Sequence, residues 1–216
     1  MTFCLLVVAK APVPGFAKTR LCPPATPAQA ADIAAAALLD TLDAVVATPG
    51  AVPVVAATGD FRRAARGAEL VHALWPLTVV EQRGETFGER LANAHQDASP
   101  DGLPVLQIGM DTPQVTPDLL AEAAAALDEH GTVLGPAEDG GWWALGVTDA
   151  ADAKVLTGVP MSRPDTGQRT RIALSEAGLV PTDLRRLSDV DTMMDARRVA
   201  RLAGGRFAEA VAAVTP

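Results

Sequence analysis

Cysteine is nearly missing from this chain of 216 residues, where Cys4 and Cys22 are the only two. Two cysteines cannot supply a disulfide framework, and no Cys/His spacing matches a zinc site. The pattern points to a reducing, cytoplasmic setting. His72, His95 and His130 stand apart without metal-ligand spacing, and no Ser/His/Asp or Cys/His arrangement for nucleophilic catalysis is visible. Long apolar runs are lacking too, since none approaches the ~20 residues needed to span a bilayer. The first such run, "FCLLVVA", has no positive charge before it and is too short for a signal-peptide core. No membrane partner is therefore expected. A formal net charge of −8 excludes the basic face of a nucleic-acid binder. Neither a Walker A spacing nor a G-x-G-x-x-G fingerprint follows the first apolar run, which argues against a P-loop, dehydrogenase or flavodoxin-like module.

What is present suits one α/β domain over residues 1–216, with 49% hydrophobic and 20% charged residues and no linker, repeat or low-complexity tail. Residues 3–9 read as a strand buried on both faces. Thr26, Pro27 and Gln29 form the capping box of an Ala-rich helix, and Thr116 with Pro117 repeats the cap-plus-proline signature. "AVPVVAAT", "PLTVVEQ" and "GLPVLQIG" read as further strands, and "TFGERLANAHQDA" as a helix. "GTVLGPAEDGGWWALGV" predicts strand, turn, strand; "GQRTRIALSEAG" predicts a helix; "LRRLSDVDT" predicts a last strand that runs into a helix from Thr192. Strands and helices alternate for at least four units, which implies a mainly parallel sheet.

Ligands of such sheets bind at the carboxyl ends of the strands, and several polar segments share that position. The first is "VVAKAPVPGFAKTRL", where Lys10, Lys18 and Arg20 have no acidic residue before Asp32. Cations on a loop with free backbone N–H groups suit phosphate. Gly15 permits close backbone approach, and Pro12 and Pro14 restrict the loop. Asp111 in "GMDTP" stands at a strand exit, where a carboxylate either caps a turn or holds Mg²⁺ or Mn²⁺ against substrate phosphates. The metal reading needs further carboxylates, and Asp189 and Asp191 in "SDVDT" are the candidates, with N-capping as the alternative. Glu138 and Asp139 in "GPAEDGGWW" face either a tight Asp-Gly turn or a substrate's hydroxyls, with one of Trp142 and Trp143 in the core. Gly88 and Arg90 at a helix start either meet a nucleotide or belong to a solvated helix face.

In that order and at those distances, "AKAPVPGFAKTRL", "GMDTP", "GPAEDGGWW" and "DVDT" resemble GT-A-like proteins described as glycosyltransferases. That family lies within the nucleotide-diphospho-sugar transferase superfamily. More remotely, the opening loop and Asp-x-Pro element look like those of molybdenum-cofactor and phospholactate guanylyltransferases. The resemblance covers nearly the whole chain. It implies a three-layer α/β/α, Rossmann-like sandwich with a mainly parallel mixed sheet and a nucleotide or nucleotide-sugar partner. It places the nucleotide and its phosphates on Ala9, Lys10, Ala11, Gly15, Lys18, Arg20, Gly88 and Arg90. The metal, Mg²⁺ or Mn²⁺, falls to Asp111 with Asp189 and Asp191, and the substrate or acceptor side to Glu138, Asp139, Gly140, Trp142, Ser162 and Asp165. Asp111, Lys18 and Asp139 are then the catalytic candidates, with Glu138 an alternative to Asp139 as general base. This chain departs from the pattern at "GMD" for "GSD", at the Trp pair, and at Met161–Asp165 for Trp-Ser-Thr-Asp. Glycosyl transfer from a nucleotide-diphospho-sugar is the leading expectation. Nucleotidyl transfer that releases pyrophosphate and non-catalytic nucleotide binding are the alternatives; both monomer and homodimer stay open.

Overall fold

Apolar residues at every position but the last of Phe3–Lys10 leave no polar side, and this segment forms β1, the strand on which the sheet is built. The computed structural model describes residues 1–215. β1 pairs in parallel with β2 (Ala51–Thr58) on one side and β4 (Val105–Gly109) on the other, and β3 (Thr78–Glu81) lies outside β2. Beyond β4 come β6 (Trp142–Val147), β5 (Thr132–Pro136) and β7 (Thr182–Asp183). The seven-stranded order is β3-β2-β1-β4-β6-β5-β7, with only β6 antiparallel to its neighbours. After β3 the chain crosses back to β4 on the far side of β1. The carboxyl ends of β1 and β4 thus form the switch point at which open sheets bind ligands.

Helices cover both faces. α1 (Pro27–Ala47), α2 (Gly67–Leu74) and α4 (Pro117–His130) pack Leu38, Leu42, Leu70, Leu120 and Leu127 with Leu5, Val7 and Ile108. α3 (Phe87–Ala98), a 3-10 stretch (Ala150–Gly158) and α5 (Thr166–Glu176) supply Leu91, Ala94, Leu156 and Leu174 to the other face. α6 (Met193–Ala203) and α7 (Gly205–Ala212) lie on the outer side of α1, where Phe207 and Val199 meet Ile33 and Ala37. α1 is therefore buried on two sides, which is why it is so rich in alanine. Its capping box at Thr26 and Gln29 forms as expected, and Thr86–Glu89 and Thr192–Asp195 make the same motif. Among the described residues no helix is long and apolar enough to cross a membrane.

One strand expectation needs correction. "LRRLSDVDT" is not a strand: β7 ends at Asp183, and beyond it only Leu187 bridges to Ala137. Two of its carbonyls are taken by side chains, and Leu187 O accepts from the Glu138 backbone N–H at 3.0 Å. The Trp143 indole N–H donates to Arg185 O at 2.8 Å and the Gln114 amide donates to Ser188 O at 2.5 Å. α2 and α7, with eight residues each, were too short to show a helical period.

Inside α3, His95 is fully buried, with Nδ1 2.9 Å from Leu91 O and Nε2 without a partner among the described residues. Burial pushes its pKa down to about 4 from 6.5, against a smaller upward pull from the Leu91 carbonyl. The unfolded chain therefore binds the extra proton first. His95 leaves stability intact above about pH 6.5 and removes about 3 kcal/mol between pH 7 and pH 4. Urea unfolding of His95→Met, which cannot titrate there, is expected to show a flatter pH profile by about that amount.

Candidate functional site

The loop leaving β1 turns back over the sheet at Lys18, whose backbone is left-handed with φ 46°. Its ammonium lies 2.8 Å from Asp111 Oδ2 and 3.0 Å from Asp191 Oδ1. Arg20 Nη1 meets the other oxygen of Asp191 at 3.0 Å. Two of the three cations that stand without acids in sequence, Lys18 and Arg20, are thus paired by carboxylates 93 to 173 residues away. Two bonds hold the acid-bearing segments together: Val190 N–H donates to Asp111 O at 3.0 Å, and Gln114 bonds Ser188 O. Thr192, not Asp191, caps α6 through its capping box with Asp195, which leaves the Asp191 carboxylate for the cations.

Asp111, Asp189 and Asp191 each offer an oxygen within 4.8 Å of the others. Hard carboxylate donors at that spacing fit a hard divalent ion such as Mg²⁺ or Mn²⁺. Lys18 already pairs with two of them. Burial opposes its charge, but Asp111 and Asp191 outweigh this and hold its pKa above the ordinary lysine value. Burial would likewise raise Asp191, yet Lys18 and Arg20 hold it below the usual carboxylate range. Asp189 has no such partner: burial first, then Asp139, Asp111 and Asp191, push it up to about 6. That imbalance marks a cluster short of positive charge.

The cluster opens on a cavity of about 910 Å³ between the carboxyl ends of β1 and β4, the start of α3 and the loop before α5. Ala9, Lys10, Lys18, Arg20 and Arg90 all line it. Lys10 Nζ donates to Phe16 O at 3.1 Å, and Arg90 Nε to Gly84 O at 3.2 Å, so both cations are steadied by backbone carbonyls at its edge. Asp139, Trp142 and Ser162 line it from the opposite side. One Asp139 oxygen accepts from Gly141 N–H at 2.7 Å, which is the tight-turn role, and the other is left to the cavity. Trp142 is fixed by its indole N–H to Thr170 Oγ1 at 3.2 Å, whereas Trp143 is 2% exposed in the core. Both tryptophans border the cavity, Trp142 partly exposed and Trp143 from within the core.

The remaining residues lie outside the cavity wall, each for a visible reason. A Cβ on Gly88 would come within 2.2 Å of Leu156 O, so this glycine lets α3 approach the 3-10 stretch. Glu138 turns to α6, where Arg198 Nη1 holds it at 2.6 Å. Gly140, with φ 90°, passes within a clash of Pro164 O and ties the 139–141 turn to α5. Asp165 pairs with Arg169 at 2.6 Å. Ala11 is buried beneath Gly59, and Gly15, with φ 81°, serves the turn between Val13 and Ala17. Sequence reasoning missed Gln82, Gln107 and Thr112 in the cavity wall and Gln114 behind it. For Gln107 a signal existed, a polar residue inside the apolar run "PVLQIG".

Residues 41–163 match the family model described as "Uncharacterized protein conserved in bacteria (DUF2064)". The chain belongs to the DUF2064 family. Among solved structures, this DUF2064 protein is similar to one from Desulfovibrio desulfuricans G20 named for the nucleotide-diphospho-sugar transferases. The two are 29% identical, with 93% of this chain and 87% of that one covered and a TM-score of 0.82. A Mycobacterium tuberculosis H37Rv protein, Rv0371C, in complex with manganese shares 20% identity over 92% of this chain and 97% of its own, with a TM-score of 0.57. CMP:2-keto-3-deoxy-manno-octonic acid synthetase complexed with CTP shares 12% identity over 92% and 97%, with a TM-score of 0.55. No curated protein matches the chain. The DUF2064 chain thus has the GT-A-like fold of the nucleotide-diphospho-sugar transferases, as its motifs led one to expect.

Proposed function

We propose that this protein is a metal-dependent transferase that acts on a phosphate-linked nucleotide substrate, with glycosyl transfer from a nucleotide-diphospho-sugar as its leading reaction. The observation that carries this reading is the meeting of Asp111, Asp189 and Asp191 with Lys18 at the mouth of a cavity on the sheet's switch point. The D. desulfuricans relative supports it by name, and the manganese-bound M. tuberculosis protein supports a metal on this scaffold. Bound by the three carboxylates, Mg²⁺ or Mn²⁺ would supply positive charge to the phosphates of the leaving group.

The chain's own residues do the rest. Lys18, part-buried and charged, is released from Asp191 towards a phosphate oxygen and stabilises charge where it develops. Arg20 is 75% exposed and attracts and orients the diphosphate from outside. The open oxygen of Asp139 is the candidate base for an acceptor hydroxyl, whereas Glu138 is committed to Arg198. The test is a screen of nucleotide sugars and nucleoside triphosphates with Mn²⁺. Nucleoside diphosphate release identifies glycosyl transfer, and pyrophosphate release identifies nucleotidyl transfer. Binding without turnover in any combination overturns the enzymatic reading, and no binding overturns the site.

A further inference from the structure

Asp189 is the member of the carboxylate cluster that nothing holds directly. Asp111 and Asp191 both meet Lys18, and Asp191 also meets Arg20, but among the described residues no cation meets Asp189. It faces carboxylates instead, since the three acids offer oxygens within 4.8 Å of one another. Like charges at that spacing repel, so an unsupported Asp189 would swing out of the cluster. Its place is set through the residue before it. Leu187 and Val190 are fixed by backbone bonds to Pro136, Glu138 and Asp111, and Ser188 next to Leu187 is gripped by two side chains. The Gln114 amide donates to Ser188 O at 2.5 Å, and Arg198 Nη2 donates to Ser188 Oγ at 2.6 Å.

Arg198 reaches further than Ser188. Its Nη1 meets Glu138 Oε2 at 2.6 Å, and Nη2 also donates to Asp195 Oδ1 at 3.2 Å. Asp195 is the capping carboxylate of α6, and its other oxygen accepts from Thr192 N–H at 2.9 Å. Ala196 and Val199 are fully buried in the cluster that packs α6 with α1. The guanidinium is thus anchored on a packed helix and ties two loops to it, one carrying Asp189 and the other Asp139. The bond to Glu138 also draws a further carboxylate away from a cavity already lined by Asp111, Asp139, Asp189 and Asp191. Three acceptors in three directions suit a rigid fork, which the single nitrogen of a lysine cannot replace.

We infer that Arg198 is a positioning residue of the site: its two arms hold Ser188 and Glu138 so that Asp189 stays with Asp111 and Asp191 before an ion arrives. The inference rests on the metal-dependent reading above, because the cluster is taken to bind the ion. Partners that orient metal ligands from behind are worth ~10–100-fold in metal affinity. Their worth to stability is small when they are open to water, and Arg198 and Glu138 are 45% and 44% exposed.

The test titrates free Mn²⁺ by electron paramagnetic resonance in wild type, Arg198→Met, Arg198→Lys, Ser188→Ala and the double variant Arg198→Met with Ser188→Ala. Arg206→Met, which breaks the pairs of α7 with Asp40 and Asp43 of α1, is the structural control. Arg198→Met is expected to bind Mn²⁺ about 10-fold more weakly and Ser188→Ala to show part of that loss, with the double variant no weaker than Arg198→Met alone. Arg198→Lys keeps a charge beside Glu138 and is expected not to recover wild-type affinity. Arg198→Met and Arg206→Met should both melt within about 4 °C of wild type, and Arg206→Met should bind Mn²⁺ as wild type does. Unchanged affinity in Arg198→Met, multiplied losses in the double variant or an equal loss in Arg206→Met overturns the inference. Full recovery by Arg198→Lys reduces the role to charge and overturns it too. Should Arg198→Met not fold, Ser188→Ala decides alone, and unchanged affinity there overturns the inference. Failure of wild type to bind Mn²⁺ overturns the metal-site reading itself, which a failure confined to the Arg198 variants leaves standing.

Discussion

Asp111→Asn is expected to lower Mn²⁺ affinity by on the order of 100-fold and to abolish turnover, read from free Mn²⁺ in an electron paramagnetic resonance titration. Loss of an outer-shell partner alone typically costs ~10–100-fold, and Asp111 is proposed as an inner ligand. It is the one member of the cluster at the exit of the central strand β4, and its carbonyl also anchors Val190 between the other two carboxylates. The Asn substitution keeps that backbone bond and the side chain's shape. What it removes is the negative charge, so a loss of metal binding reports ligation instead of local unfolding. Unchanged affinity would move the metal away from Asp111.

Lys18→Met is expected to move two affinities in opposite directions. Without nucleotide, Mn²⁺ should bind about 10-fold more tightly, because an ammonium now 2.8 Å from Asp111 and 3.0 Å from Asp191 no longer competes for their oxygens. Nucleoside diphosphate should bind at least about 10-fold more weakly, because a part-buried cation that would meet its phosphate is gone. The metal-free variant should also lose on the order of 2 kcal/mol of stability. Breaking a fully buried pair costs more, ~3–5 kcal/mol, but Asp111 and Asp191 are 35% and 33% exposed here. Mn²⁺ at about 100 times its dissociation constant should return about 2.7 kcal/mol and so restore the melting temperature. Weaker binding of Mn²⁺ by Lys18→Met would mean that the lysine supports the metal site instead of sharing it.

Much of the fold was legible because its signals are local. β1 advertises itself by apolar residues on both faces, and two helices by a capping box or a Thr-Pro start. The shared strand-end position of Lys18, Asp111 and Asp139 also followed from the alternation of strands and helices, whereas Asp191 reaches it from a segment that is not a strand. What could not be read is where side chains find partners across the chain. Lys10, Lys18 and Arg20 looked unbalanced, yet two of them meet Asp191, a residue 171 to 173 positions away. Glu138 and Asp139 are neighbours in sequence, but one turns to Arg198 and the other to the cavity. Gly88 and Gly140 resemble ligand-approach glycines and are set by backbone crowding against Leu156 and Pro164. Segment 184–190 carries strand-like residues but gives its Arg185 and Ser188 carbonyls to Trp143 and Gln114, a choice that only tertiary packing decides.

The central claim is that three carboxylates and Lys18 together hold a metal and a diphosphate. A crystal structure of the protein with Mn²⁺ and a nucleoside diphosphate tests it most directly. The account predicts an anomalous manganese peak among Asp111, Asp189 and Asp191, with the Lys18 ammonium on a phosphate oxygen and no longer on Asp191. Manganese elsewhere, or Lys18 still bridging Asp111 and Asp191 with the phosphates bound away from them, would contradict it.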